Sequence, residues 1–158
     1  MNEIEASRAQ RAAALGAAIL DEIPLARAMA LGMGAYDGDS LALTAALAPN
    51  VNDKGCAFGG SLASLMTLAG WCLIKLALDA RGLDGEIYVQ DSTIRYLAPV
   101  WEDFSAVARL AEGEDFESFF ASLAARGKGR LSVRCVVPLP DGTPASSLEA
   151  RFVAIAKR

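Results

Sequence analysis

The stretch Pro49-Asn50-Val51-Asn52-Asp53-Lys54-Gly55-Cys56-Ala57-Phe58-Gly59-Gly60-Ser61 holds most of the chemistry this chain offers. Gly59 and Gly60 stand at the head of an apolar run, Leu62 to Ile74, that reads as a helix. Glycines there let another group approach the backbone, because no Cβ stands in the way. The first N–H groups of a helix are unpaired and sit at its positive end. Such a start can hold an oxyanion, or a carbonyl oxygen that becomes one. The same glycines also suit a turn that only lets the helix pack closely. Asn52 brings an amide donor and an acceptor to the preceding loop, and Asp53 is a candidate base or a solvated turn residue. Farther along, Gly60, Ser64, Thr67 and Trp71 recur at helical steps and share a face. Ser64 and Thr67 could bond a ligand, or return their hydroxyls to carbonyls one turn back.

The sequence contains no histidine, which removes Ser-His-Asp and Cys-His catalysis, histidine metal ligation and any imidazole base. Cys56, Cys72 and Cys135 are odd in number and widely spaced, so neither a disulfide framework nor a zinc ribbon is expected. A reducing, cytoplasmic setting fits, with no metal and no cofactor. Cys56 has no basic partner nearby beyond Lys54 and makes a poor nucleophile. Lys and Arg total 15 against 19 Asp and Glu, a formal charge of −4, so nucleic acid is not an expected partner. The densest cationic cluster is Arg126, Lys128 and Arg130, with Arg134 nearby. It suits nucleotide phosphates or an acidic partner face, or simply a helix C-terminus whose dipole favours cations.

These residues need a scaffold. At 158 residues, 53% hydrophobic and 22% charged, the chain fits one domain with a sizeable core. Residues 1–31 read as an N-terminal helical segment, with Leu15, Ile19 and Ile23 on one face and a break at Pro24. Met33 to Tyr36 and Leu41 to Leu47 read as strands about an Asp37-Gly38 turn. The apolar helix ends near Arg81-Gly82, with Leu62, Leu65, Met66, Ala69, Leu73 and Leu76 facing the sheet. The uncharged run Gly55 to Ile74 is long enough on paper to cross a bilayer. Its glycines and hydroxyls shorten the apolar part, so a buried central helix and no membrane partner are expected. Ile87 to Leu97 reads as a long strand, carrying Asp91 and Arg95 on one face, with Phe104 to Leu110 as its antiparallel neighbour. Asp115 to Arg126 reads as a short amphipathic helix, and Leu131 to Leu139 and Leu148 to Ala156 as strands joined at Asp141-Gly142. The order gives an α+β fold over residues 1–158, an antiparallel sheet around one helix.

The pattern Asn52-x-x-Gly55-x-x-Phe58-Gly59-Gly60 followed by an apolar helix resembles the signature of hot-dog-fold acyl-thioester enzymes. More narrowly, Ala48 to Gly55, Phe58 to Leu62 and Leu68-Ala69-Gly70-Trp71 are similar to the YiiD C-terminal-domain group of thioesterase-like proteins. Ile94 to Val100 and Ile23-Pro24-Leu25 extend the match. The resemblance implies a long helix wrapped by a curved antiparallel sheet, a homodimer or higher homo-oligomer with sites at the subunit interface, and a coenzyme A or acyl-carrier-protein thioester as ligand. Asn52, a site residue in the family pattern, joins Thr67 and the Gly59–Gly60 backbone as the expected catalytic groups. Asp53, Phe58, Ser61, Ser64, Arg126, Lys128 and Arg130 are the expected substrate contacts. The resemblance also implies, in many members, a carboxylate where this chain has Thr67 and a histidine where it has Phe58. Thioester hydrolysis is the leading reading, with Asp53 or Asp91 left to activate water. Decarboxylation of a malonyl thioester on acyl carrier protein, initiating fatty acid synthesis, needs no such base. Non-catalytic thioester binding is the third. As a loop amide, Asn52 is expected to contribute little to stability.

Overall fold

In the computed structural model, which describes residues 1–157, Asn2 opens the first helix with a capping box. Its side chain accepts the Glu5 N–H while the Glu5 carboxylate accepts the Asn2 N–H. This helix, α1 (Glu3–Glu22), stops ahead of Pro24, which starts the short α2 (Pro24–Ala28), where a missing N–H costs nothing. Arg27 reaches back to the Leu20 and Asp21 carbonyls and closes the end of α1. The helical segment is shorter than expected. Ala30 adopts φ +53, and Leu31 heads a strand. That strand, β1 (Leu31–Tyr36), pairs with β2 (Ser40–Ala45) around a turn in which Asp37 accepts the Asp39 and Ser40 N–H groups.

A 3-10 turn at Ala48–Asn50 and a short loop lead into α3 (Gly59–Ala80), 22 residues long. There follow β3 (Gly85–Tyr96), β4 (Phe104–Leu110), α4 (Phe116–Arg126), β5 (Lys128–Pro138) and β6 (Pro144–Ala156). The six strands form one antiparallel sheet in the order β1-β2-β4-β5-β6-β3, curved around α3 as in the hot-dog arrangement. β4 is therefore not the neighbour of β3. It pairs with β2 and β5, while β3 pairs with β6. The link after β3 does not turn back on itself: Leu97 and Ala98 donate to the Ala145 carbonyl, and Ala57 donates to that of Val100. These bonds carry the chain across the end of the sheet, over the start of α3.

Leu65, Met66, Ala69, Cys72, Leu73, Ile74, Leu76 and Leu78 of α3 are fully covered. The one helix among the described residues long and apolar enough to cross a membrane is thus mostly buried inside the sheet. α1 lies across β1 and α3 through Ala12, Leu15 and Ile19. The two sheet edges differ. β1 is short, bulged between Met33 and Tyr36 and overlaid by α1, whereas β3 presents 12 residues.

Helix and sheet pack tightly at Gly70. A Cβ there would stand 2.8 Å from Val133 Cγ2 and 3.0 Å from Phe152 Cε2. Gly70→Ala should therefore cost about 1–3 kcal/mol in urea unfolding, although alanine favours a helix by roughly 1 kcal/mol. A variant as stable as the wild type would show that the sheet yields at this contact.

Candidate functional site

Two asparagines build the loop that delivers α3. Asn50 is 2% exposed; its Nδ2 donates to the Met29 carbonyl at 2.8 Å and to that of Ala46 at 2.7 Å. Its own carbonyl accepts the Phe58 N–H at 2.7 Å. One residue thereby joins the end of α2, the end of β2 and the start of α3. Asn52 closes the turn itself. Its Oδ1 accepts from the Lys54 N–H at 2.9 Å and the Cys56 N–H at 3.2 Å, and its Nδ2 donates to Cys56 Sγ at 3.2 Å. This is an Asx turn, so Asn52 is a clasp of the loop and not an amide without structural weight. The orientation leaves one Nδ2 proton without a partner among the described residues.

Phe58 is the N-cap of α3, and its carbonyl accepts Ser61 N–H at 2.9 Å and Leu62 N–H at 3.1 Å. Gly59 and Gly60 N–H remain unpaired among the described residues, with no acidic side chain in the first turn to offset the helix's positive end. Ser61 is buried within that turn. Along the predicted stripe, Ser64 Oγ donates to the Gly60 carbonyl and Thr67 Oγ1 to that of Ala63, each at 2.8 Å. Both hydroxyl protons are thus committed to the backbone. Each oxygen keeps lone pairs and can accept, so these hydroxyls take the second of the two roles the sequence leaves open for them.

A cavity of about 710 Å³ opens beside this stripe, within the usual ~300–1,000 Å³ of a ligand site. α3 supplies Ser64, Thr67, Leu68 and Trp71; α2 adds Leu25 and Ala26, with Met29 just beyond its end; β3 adds Ile87, Val89, Ser92 and Ile94. Trp71 is fixed in its wall by donating Nε1–H to the Ile87 carbonyl at 3.2 Å. No wall residue is charged at neutral pH. Asn52, Gly59 and Gly60 lie outside these walls, although Gly60 heads the stripe roughly 6 Å above Ser64 by helical rise.

Other expected site residues lie apart. Asp53 is exposed and hydrogen-bonded to Lys54 at 3.0 Å, which holds its carboxyl below the ordinary range and weakens it as a base. Asp91 pairs in register with Arg151, and Arg95 with Ser147, on the outer face of the sheet. Lys128 stands opposite Ile155, itself paired with Glu86 near the start of β3, whereas Gly59 adjoins Tyr96 at the end of β3. Those rows are roughly 30 Å apart along the strand. Arg126 ends α4 and Arg130 donates to Gln90, so one chain does not bring Arg126, Lys128 and Arg130 to the glycine start.

Sequence reasoning missed two parts, the α2 wall and Tyr96, whose ring lies against Gly59. Ile23-Pro24-Leu25 was the only signal for the first. Periodicity does not separate a cavity wall from a core wall.

Asn52→Ala removes two acceptor bonds from the loop and should lower stability by about 1–2 kcal/mol in thermal unfolding. Asn52→Asp keeps the acceptor oxygen and should melt close to the wild type. Equal melting of all three proteins would show that the clasp is dispensable.

Comparison with known proteins gives an independent line. Residues 12–156 match a family model described as "Putative thioesterase (yiiD_Cterm)". A protein of unknown function from Chlorobaculum tepidum is 28% identical, with TM-score 0.88 over 95% of this chain and 97% of that one. A structure described as the "putative thioesterase" from Shewanella oneidensis is 27% identical, with TM-score 0.78 over 89% of this chain and 94% of that one. A Pseudomonas aeruginosa protein, described as a probable thioesterase, shares the fold at 21% identity and TM-score 0.76 over 90% and 95% of the two chains.

Proposed function

The chain belongs to the family described as "Putative thioesterase (yiiD_Cterm)", and on that premise we propose that it is an enzyme that hydrolyses acyl-CoA or acyl-carrier-protein thioesters at the start of α3. The observation that carries this is one continuous helix face. Unpaired Gly59 and Gly60 N–H groups stand at its head, and Ser64, Thr67 and Trp71 run from there along an uncharged cavity. A thioester carbonyl set on the glycine N–H groups gains two donors and the positive helix end where negative charge develops. The acyl chain then follows the stripe into the apolar cavity. The free Nδ2 proton of Asn52 is the third donor in this reading, already oriented by the Asx turn.

Hydrolysis also needs an activated water, and the two candidate carboxylates stand elsewhere: Asp53 beside Lys54 in solvent, Asp91 on the outer sheet face. That placement favours a second reading, decarboxylation of a malonyl thioester. There the C–C bond to the carboxylate breaks, carbon dioxide leaves, and the electron pair passes into the thioester carbonyl as an enolate. The same donors hold that oxyanion, and a solvent proton on carbon completes the acetyl thioester. No base is required, and uncharged walls favour loss of the charged carboxylate.

Incubation with long-chain acyl and malonyl thioesters, on coenzyme A and on carrier protein, separates the readings. Free thiol marks hydrolysis, acetyl thioester with carbon dioxide marks decarboxylation, and neither product would reduce the chain to a binding protein. Asn52→Asp, which preserves the loop, should lower turnover about 10²-fold through loss of one donor; undiminished turnover would remove Asn52 from the site. With no histidine and no wall group titrating near neutrality, a decarboxylation rate should stay flat from about pH 6 to 8. Hydrolysis by hydroxide would instead rise with pH.

The working unit in this proposal is a homodimer joined at β3. That edge carries exposed Tyr88 and Val89 and leads to exposed Tyr96 and Leu97, and its outer side lacks a partner strand. A second copy pairing there would place the cavity wall and the glycine start at the interface. Sedimentation at micromolar concentration should give a dimer that Val89→Lys converts to monomer; a monomeric wild type would overturn the assignment. The three free, buried cysteines suit a cytoplasmic setting, and burial pushes the Cys72 and Cys135 thiols up to about 12, which leaves them inert.

A further inference from the structure

The space that Gly60 leaves open is already taken. A Cβ built on Gly60 would lie 2.3 Å from Cε2 and 2.9 Å from Cζ of Phe58, so the Phe58 ring folds back over the glycine. Gly59 has a neighbour of the same kind, with its Cβ position 3.3 Å from Cε1 of Tyr96. Within one chain burial holds neither ring in place: Phe58 is 56% and Tyr96 58% exposed, and the Tyr96 hydroxyl reaches the Gly59 carbonyl only at 3.4 Å. The backbone beneath Phe58 is firmly fixed. Its N–H donates to Asn50, its carbonyl receives Ser61 and Leu62 N–H, and Asn50 is tied to Met29 and Ala46. The ring therefore moves by rotation about its own side-chain bonds, which is fast for an exposed residue.

We propose that Phe58 is the gate of the α3 site: its ring covers Gly60 in the free protein and swings away to admit the ligand, with the Tyr96 ring as the opposite jamb. The proposal rests on the acyl-thioester reading and deepens it. The covered position heads the stripe that runs down to Ser64, Thr67 and Trp71, so the ring occupies the space beside the helix start from which that stripe leads to the cavity wall. While closed, it keeps an apolar surface over the unpaired helix start. A thioester with a long apolar arm can replace the contacts the ring gives up. A small hydrated anion has no apolar surface to offer in exchange, so the gate selects against it at the helix start.

A non-hydrolysable S-dodecyl thioether of coenzyme A is the probe, with association followed by stopped flow and affinity by calorimetry on the full-length protein. If the ring covers the site in about nine of ten molecules, apparent affinity is reduced about 10-fold. Phe58→Ala should then bind the probe about 10-fold more tightly and associate faster, with Phe58→Tyr unchanged. The premise about the ring has its own readout, free of any ligand. Gly60→Ala should cost more stability with Phe58 present than in a Phe58→Ala background, because the new methyl and the ring cannot coexist. A wild type that fails to bind the probe would overturn the thioester reading and the gate with it. A wild type that binds, with Phe58→Ala binding no faster or more weakly, would overturn the gate alone. Equal Gly60→Ala costs in both backgrounds would do the same.

Discussion

The burial of α3 is the constraint on which the rest of the molecule depends. A 22-residue helix so apolar must be covered on nearly every side, and one curved sheet covers only part of it. At Gly70 the backbone sinks between Val133 and Phe152, close enough that even a methyl group is crowded. On the opposite side α1 and α2 extend the cover, through Leu15 and Ile19 and through Leu25 and Ala26 in the cavity wall. The cavity is what remains between a helix that must be hidden and a segment that does not fill the gap.

That same packing decides where backbone polarity is left over. Within the sheet and along α3 the peptide groups pair with one another, as buried groups must. Besides the outer edges of the sheet, backbone polarity is left over at the helix start, where the loop held by Asn50 and Asn52 brings two glycines whose N–H groups have no partner among the described residues. The loop directs its own hydrogen bonds inward, towards Met29, Ala46, Lys54 and Cys56, so its side chains fix the entry of the helix without capping it. In the proposed reading, this uncapped helix start beside an apolar cavity serves as an electrostatic site made of backbone alone.

The chemistry proposed for this site follows from what surrounds it. No histidine exists, the carboxylates considered face solvent or the outer sheet, and the Ser64 and Thr67 protons are turned back on their own helix. Such a site is well equipped to stabilise developing negative charge on a carbonyl oxygen and poorly equipped to take up a proton.

Much of the fold was legible in the residues. The α3 core positions, the Pro24 break, the amphipathic α4 and the strands about Asp37-Gly38 and Asp141-Gly142 follow from local rules of periodicity, capping and turns. The motif Asn52 to Gly60, with its flanking segments, carried the family. The sequence could not assign β3 to β6 over β4, because strand pairing is a long-range choice decided by how the chain crosses the sheet end through Leu97 and Ala98. Nor could it show that Asn52 clasps a loop, that the Ser64 and Thr67 hydroxyls are already bonded, or that the Phe58 ring occupies the place above Gly60. Residue type lists what a side chain is able to bond. Only the packed neighbours decide which of those bonds is made, since donors, rings and glycines compete for the same few ångströms of space.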